Sequence, residues 1–205
     1  MTTTSSTGTG RVAQADRTRM MRARLLEATV ELLIERGYAG TTTTLVSERA
    51  GVSRGAQLHH FPSKGDLVVA AVEHLTERRG AELEEILSAV PAGRPRTRGV
   101  LRALGDHFAS PVFAAALELW VAARTDELLH AAVGPLERRV GRETHRLTVE
   151  ALGIDEERRG SRELVQGTLD LVRGLGLATT VSDDTARRRR ILDQWADVID
   201  REVQR

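Results

Sequence analysis

The chain has 205 residues, of which 29% are charged and 3% aromatic, with a formal net charge of +1 and no cysteine. This length accommodates a small domain and a larger one, each with its own core. The absence of cysteine excludes disulfides, thiol redox sensing and cysteine-ligated zinc, and the lack of an apolar run near about 18 residues predicts a cytoplasmic protein without a membrane span.

The N-terminal end combines a polar segment with a basic helix. Residues 1 to 15, MTTTSSTGTGRVAQA, are rich in Thr, Ser and Gly, which predicts a disordered arm. Leucines at helical spacing predict a helix from about Arg17 to Arg36, ended by Gly37. Residues 1 to 64 carry nine basic and five acidic side chains, whereas residues 65 to 205 carry 21 and 24. Four arginines at the start of the helix are candidates to neutralise phosphates, with a merely solvated helix start as the alternative: Arg17, Arg19, Arg22 and Arg24.

Two short helices joined by a tight turn are predicted in the next segment, TTTTLVSERAGVSRGAQLHHFPSK, from Thr41 to Lys64. Val46 and Ala50 lie four residues apart and share one face of the first helix. Gly51 permits a sharp turn, and Ser53 can cap the second helix. This pattern is typical of a helix-turn-helix, whose second helix enters the major groove of DNA.

The second of these helices is predicted to present polar side chains to DNA. We expect Leu58 and Phe61 to face inward. Four side chains are then left on the outer surface: Arg54, Gln57, His59 and His60. Gln57 can pair with adenine through two hydrogen bonds, so it is a candidate for reading sequence.

This part of the chain resembles the N-terminal domain of the tetracycline-repressor (TetR) family of bacterial regulators. The family pattern is a helix ending in G-Y/F, a T-T start, I-A-x-x-A-G-V-S and H/Y-F-x-S/N-K-x-x-L. The chain matches it at Gly37-Tyr38, Thr41-Thr42, Ala50-Gly51-Val52-Ser53, His60-Phe61 and Ser63-Lys64 through Leu67. The rest of the chain agrees with the family only in length and helical character. The resemblance implies an all-α fold, operator binding and a C-terminal domain that varies with its ligand.

Two departures from the family pattern affect the candidate DNA contacts. The family commonly has Leu-Tyr where this chain has Gln57-Leu58, and Ala is usual where Ser47 stands. Because the family's tyrosine often contacts a phosphate, Gln57 and His59 are candidates to take over that contact. Lys64, the single lysine of the chain, occupies the position of the family's phosphate-contacting lysine. Three side chains are thus expected to fix the register on the DNA backbone: Thr42, Thr44 and Lys64.

The remaining sequence predicts only helices, about nine in the whole chain. Ser63 and Asp66 form a capping box that opens a long helix to about Ala89. Two prolines and two glycines in residues 90 to 99 end it, and Gly134-Pro135 is expected to kink or break a later helix. We therefore expect a three-helix DNA-binding domain over residues 16 to 64 and a helical effector-binding and dimerisation domain over residues 65 to 205.

The last two predicted helices, over residues 162 to 181 and 185 to 203, are apolar enough for self-association. Five side chains are predicted at a homodimer interface: Leu171, Leu175, Ile191, Trp195 and Ile199. Gly167 and Gly174 share a face and would let another helix approach closely. Packing inside the monomer explains these residues equally well, but the resemblance, in which two such helices from each subunit form a four-helix interface, favours a dimer.

Aromatic side chains cluster in the middle of the chain. Phe108, Phe113 and Trp120 are three of its six aromatic residues. The stripe formed by Phe113, Leu117, Trp120 and Arg124 is interpreted either as core packing or as the wall of an apolar effector pocket. Three side chains are candidates for its polar anchor: His107, Arg124 and His145. The histidines share no ligand spacing, so neither a metal nor another cofactor is predicted.

The sequence therefore predicts a dimeric transcriptional repressor that a small apolar or aromatic effector releases from its operator. Its expected partners are double-stranded operator DNA, the effector and a second copy of the chain, with no membrane. A constitutive DNA-binding protein without an effector is the alternative. An all-helical enzyme is a third hypothesis, but the chain has no nucleophile elbow, no Gly-rich phosphate loop and no HExxH motif, so we expect no catalysis.

Overall fold

The computed structural model describes residues 7–91, 93 and 96–203. Over these residues the chain is all-α and forms nine helices, which confirms the predicted fold class. The helices are α1 (Thr7–Gly40), α2 (Thr43–Ala50), α3 (Arg54–His60), α4 (Lys64–Ser88), α5 (Arg96–Phe108), α6 (Pro111–Ala123), α7 (Glu127–Leu152), α8 (Ser161–Thr179) and α9 (Thr185–Val203). None of the helices in these ranges combines the length and apolar character needed to cross a membrane.

The first helix begins earlier than the sequence predicts. It starts at Thr7, so the disordered arm expected over residues 1 to 15 is wrong for residues 7 to 15, and the others of that segment lie outside the described residues. Helix propagation adds one hydrogen bond per residue once a packed turn exists, and the buried Leu25 and Leu26 supply that turn. Gly37 ends the regular helix as predicted, because its φ of 63° and ψ of −177° are not helical.

The chain divides into two compact units between His74 and Leu75, inside α4. The sequence-based boundary lies earlier, at residue 65, where α4 begins. In the first unit α1 packs against α2, and α2 packs against α3. Its buried apolar side chains come from α1, α2 and the start of α4, with Phe61 directly after α3, and include Leu25, Leu32, Val46 and Leu67. This small core holds α2 and α3 in place.

The start of α4 is fixed by the predicted capping box. The Ser63 hydroxyl accepts a hydrogen bond from the Asp66 backbone N–H at 3.1 Å, and the Asp66 carboxylate accepts one from the Ser63 backbone N–H at 3.2 Å. Both bonds satisfy donors that a helix N-terminus otherwise leaves unpaired.

The second unit is built around α5. This helix packs against α8 and α9, and the core also includes side chains from α4, α6 and α7. Ion pairs run along the contact of α5 with α9, where Arg102 meets Asp193 at 3.0 Å and Arg188, itself buried, meets Asp106 at 3.1 Å. These pairs keep the two helices aligned in opposite directions.

A kink or a break was expected at Gly134-Pro135, and the break does not occur, because helix α7 is continuous through Pro135. Proline removes one backbone donor and restricts the residue before it, but Gly134 has no Cβ to collide with the proline ring. The starts of α6 and α7 follow the same local rules, since Ser110 caps α6 with Pro111 in its first turn and Asp126 caps α7.

Candidate nucleic-acid interface

Helices α2 and α3 form the predicted helix-turn-helix. Gly51 follows α2 with φ 62° and ψ 42°, the left-handed conformation that glycine adopts without strain. Its N–H bonds the Glu48 carbonyl at 3.1 Å. The Ser53 hydroxyl then caps α3 by accepting a hydrogen bond from the Ala56 N–H at 3.3 Å. The tight turn and the cap are therefore confirmed.

The faces of α3 differ from the sequence prediction. Gln57 is 0% exposed and Phe61 3%, whereas Leu58 is 45% exposed. The Gln57 Nε2 donates to the Phe61 carbonyl at 2.8 Å, and within the described residues its Oε1 has no hydrogen-bond partner. The assignment of Gln57 to base reading and of Leu58 to the core is therefore wrong. Helical spacing did not decide between the two, because residues 57 and 58 lie four and three before Phe61 and both spacings bring side chains together.

The other predicted residues of α3 remain at the surface. Arg54 and His59 are exposed, and His60 is half-buried. Burial lowers the pKa of His60, and the neighbouring charges of His59 and Arg22 lower it further. The His60 ring can still take part in a hydrogen bond, and Arg54 carries the permanent positive charge that α3 itself presents.

Two threonines at the start of α2 are also exposed, namely Thr42 and Thr44. The Thr42 hydroxyl accepts a hydrogen bond from the Leu45 N–H at 3.2 Å and so caps α2. A hydroxyl that accepts one bond still carries its own proton. Thr42 can therefore cap the helix and donate to a phosphate at the same time.

Lys64 has a structural contact that the sequence did not reveal. Its Nζ donates to the Tyr38 carbonyl at 2.6 Å and lies 4.0 Å from the centre of the Tyr38 ring. Burial lowers the pKa of this amine. The ammonium group has three N–H donors, so it can hold the start of α4 to the turn after α1 and still reach a phosphate.

Arginines on α1 and α2 make side-chain contacts inside the first unit. Arg49 on α2 meets Glu31 at 3.0 Å and Glu35 at 2.8 Å on α1, and its hydrogen bond lowers the pKa of Glu35. The Arg22 guanidinium lies 4.7 Å from the centre of the Phe61 ring. Arg49 is thus ion-paired with acidic side chains, whereas Arg22 keeps an exposed charge beside the end of α3.

The match to known proteins covers the helix-turn-helix and extends well beyond it. Residues 25–71 match the family model for bacterial regulatory proteins of the tetR family. Over 201 residues the chain is 33% identical to the HTH-type transcriptional regulator CymR of Pseudomonas putida, covering 92% of this chain and 93% of that protein. The chain belongs to the TetR family. It is therefore a DNA-binding transcriptional regulator.

Solved structures share the fold over both units. A TetR-family regulator from Mesorhizobium loti superposes with a TM-score of 0.71 at 16% identity, over 89% of this chain and 96% of that one. A transcriptional regulator from Saccharomonospora viridis, solved in complex with choline, has a TM-score of 0.66 at 18% identity, over 86% of this chain and 95% of that one. The all-helical second unit is thus a fold that other members of the TetR family also have.

The predicted dimer residues of this TetR-family chain separate into two groups. Leu175 is 5% exposed and Ile199 1%, and both belong to the core of the second unit. Their assignment to a dimer interface is therefore wrong. Ile199 follows Leu192 by seven residues on the inward face of α9, and sequence periodicity could not show which face of two largely apolar helices turns inward.

The other three predicted dimer residues line an open groove between α8 and α9. Leu171, Ile191 and Trp195 contribute its apolar side chains, and Arg187 and Arg190 flank it in a volume of about 560 Å³. The Trp195 indole N–H donates to the buried Thr168 hydroxyl at 2.9 Å, which fixes the ring. The groove is a pre-formed apolar surface.

The aromatic side chains of α5 and α6 pack together. The ring centres of Phe108 and Phe113 are 5.2 Å apart and those of Phe113 and Trp120 are 5.8 Å apart, both edge to face. Phe108 and Phe113 are buried core residues, while Leu117 and Trp120 are partly buried against that core. The stripe is therefore core packing along one side and has an accessible edge at Trp120.

The predicted polar anchors lie in other settings. Arg124 is exposed at the end of α6, and the His145 Nε2 lies 2.8 Å from a Glu156 carboxylate oxygen. The ring of His107 lies edge to face on that of its neighbour Phe108, at 5.2 Å. His107 thus lies at the aromatic cluster.

Two charged side chains that the sequence analysis missed lie at the aromatic cluster. The Trp120 side chain hydrogen bonds to Glu137, and burial raises the pKa of this carboxyl. The Arg173 guanidinium lies 5.5 Å from the centre of the Phe108 ring, and its buried Nε has no acceptor among the described residues. A sequence signal existed, because Glu137 follows the buried Val133 by four residues and Arg173 follows Leu169 by four.

Proposed function

We propose that the protein is a homodimeric repressor that a small molecule releases from operator DNA. The observation that carries this proposal is the outer face of α3, where Arg54 and His59 are exposed beside the capped turn of a helix-turn-helix. A recognition helix placed in this way reads base edges while neighbouring polar groups bind phosphates. Thr42, Thr44 and Lys64 supply those phosphate contacts.

A second copy of the chain completes the reading of DNA. One seven-residue helix reaches few base pairs, whereas two on a symmetric dimer read half-sites about 34–36 Å apart or a multiple of that distance. The groove lined by Leu171, Ile191 and Trp195 supports α8 and α9 as the interface. A second copy can cover its apolar area while the core of the second unit stays intact.

The aromatic cluster at Phe108, Phe113 and Trp120 is the proposed effector site. Its accessible edge carries Glu137, and the guanidinium of Arg173, which pairs with Asp170 at 3.3 Å, keeps a buried Nε without an acceptor among the described residues. An aromatic or apolar molecule with an anionic acceptor group fits these residues best. The choline-bound relative supports a small-molecule site in this fold, although choline is a cation.

Release of DNA requires that the effector favour one conformation over another. A ligand changes operator affinity only through different affinities for the two conformations, typically about 1–3 kcal/mol apart. Helix α4 begins in the first unit at Lys64 and ends in the second at Ser88, so it is the covalent path for such a change. We therefore propose that a movement of α4 transmits effector binding from the second unit to the first.

Arg54→Ala tests the recognition surface. Because arginine pairs with guanine through two hydrogen bonds, the variant is expected to lose about 5- to 150-fold in operator affinity and little in affinity for random DNA at the same salt concentration. Fluorescence anisotropy titrations with operator DNA and with random DNA measure the two affinities. Arg142→Ala, which removes the same charge from the exposed surface of α7, is the control and should bind as the wild type. Equal losses for operator and random DNA would contradict base reading by Arg54.

Trp120 reports on the effector site. In a Trp195→Phe background it is the single tryptophan, and its emission is expected to change when aromatic carboxylates are titrated, more than with the matching neutral amides. Arg173→Gln should weaken the carboxylate response about 10- to 100-fold, because a charge-assisted hydrogen bond contributes about 1.5–3 kcal/mol. Operator affinity without effector should stay unchanged. If no such compound changes the emission or releases DNA, the aromatic cluster is not the effector site, and the constitutive DNA-binding alternative gains support.

A further inference from the structure

The outer face of α3 carries one apolar side chain among polar neighbours. Leu58 is 45% exposed, although Gln57 beside it is fully buried. Arg54 lies four residues before Leu58 and His59 directly after it, both exposed. An exposed leucine on the helix that enters the major groove gains free energy there if an apolar group of the DNA covers it from water.

Gly55 on the same face gives a second, independent observation. A Cβ built at Gly55 meets nothing within 4 Å in the described part of the protein, so no contact inside the chain requires glycine there. Its backbone is helical, where glycine is less favourable than alanine. The small residue one turn before Leu58 therefore leaves space for something outside the protein that comes close to the helix.

The major groove offers one apolar group on the base edges, the C5-methyl of thymine. Polar side chains read hydrogen-bonding patterns and gain nothing from this methyl, whereas an aliphatic side chain can bury it from water. We propose that Leu58 recognises a thymine methyl in each operator half-site, with Gly55 letting α3 approach the base edges closely enough. The proposal rests on the proposed operator binding through α3 and makes Leu58 a specificity-determining residue.

Replacing thymine by uracil removes this methyl and leaves every base-pairing group in place. The intergenic fragment next to the gene is amplified with either dTTP or dUTP, and the wild-type dimer is titrated with both. Loss of one buried methyl is expected to weaken binding about fourfold, and loss of one in each half-site about 15-fold. Leu58→Ala should bind both fragments alike, with the affinity of the wild type for the uracil fragment. Leu128→Ala, which shortens an exposed leucine of α7, should retain the wild-type difference.

Comparing the wild type with Leu58→Ala separates the loss of the contact between Leu58 and the methyl group from any effect of uracil on the stiffness of the DNA. If uracil weakens wild type and Leu58→Ala equally, the effect lies in the DNA and the proposal is overturned. It is also overturned if the wild type binds both fragments equally. Failure of the wild type to bind even the thymine fragment would instead contradict the proposed operator binding.

Gly55→Ala tests the close approach. The variant should unfold at the same temperature as the wild type or higher, because alanine favours the helix and meets no protein atom. Its affinity for the thymine fragment is expected to fall at least fourfold, since the added methyl holds Leu58 away from the base edge. Wild-type affinity in this variant would overturn the proposed role of Gly55.

Discussion

Ile191→Glu is expected to give a folded monomer whose operator affinity is about 10²- to 10⁴-fold lower than that of the wild type. Ile191 is partly buried in the monomer and lines the open groove between α8 and α9. A carboxylate there is solvated in the monomer, but in a dimer it loses water among the apolar side chains of the groove, with Arg187 and Arg190 only at its flanks, and this cost dissociates the pair. The loss of affinity follows because each half-site must then be bound separately, without the second copy held nearby. Sedimentation velocity and anisotropy measure the two effects.

Ile199→Glu should behave differently. Ile199 is 1% exposed inside the core of the second unit, so a carboxylate there is buried in the monomer itself and should unfold it. Leu128→Glu, with its side chain 85% exposed on α7, is the matched control and should remain a folded dimer. A folded dimer for Ile191→Glu would rule out the α8 and α9 groove as the interface.

Gly176→Ala is expected to destabilise the second unit by about 3 kcal/mol, the upper end of overpacking effects. A Cβ at Gly176 would lie 2.1 Å from the Phe108 carbonyl oxygen and 3.1 Å from the Phe113 ring. The nearest obstacle is backbone, which cannot rotate away as a side chain can. Thermal unfolding followed by circular dichroism should show a midpoint lowered by on the order of 10 °C.

Gly80→Ala is the matched control for that measurement. Gly80 also lies inside a helix, α4, but a Cβ there meets nothing within 4 Å among the described residues. Alanine should therefore stabilise the protein by up to about 1 kcal/mol. Equal midpoints for the two variants would show that α8 does not approach α5 as closely as this structure has it. Because Phe108 and Phe113 belong to the proposed effector site, folded Gly176→Ala protein should also respond differently to effectors.

Local signals account for the parts of the fold that the sequence predicted. Ser53 and Ser63 both cap helices, and Gly51 makes the tight turn, because these features depend on residues within one turn of each other. Chain-wide helical spacing likewise identified the all-α fold. The helix-turn-helix could therefore be placed without knowing what packs against it.

Tertiary contacts account for the assignments that failed. Leu175 and Ile199 lie on helices with apolar residues on two faces, and only the position of α5 decides which face is buried. The spacing of α3 could not separate Gln57 from Leu58, because residues four and three before Phe61 are both its helix neighbours. Hydropathy favoured Leu58 for the core, and a buried glutamine whose carbonyl oxygen has no partner among the described residues contradicts that rule. Glu137 and Arg173 were missed because charged residues are expected at the surface.

The most direct test of operator reading by a dimer is a titration of the intergenic DNA next to the gene. Fluorescence anisotropy at fixed salt gives the affinity, and sedimentation of the complex gives the number of chains bound. The structure predicts at least two chains on a symmetric site and an affinity about 10³- to 10⁷-fold above that for random DNA of equal length. Equal affinity for both DNAs, or one chain per site, would contradict a dimer that reads two half-sites through α3.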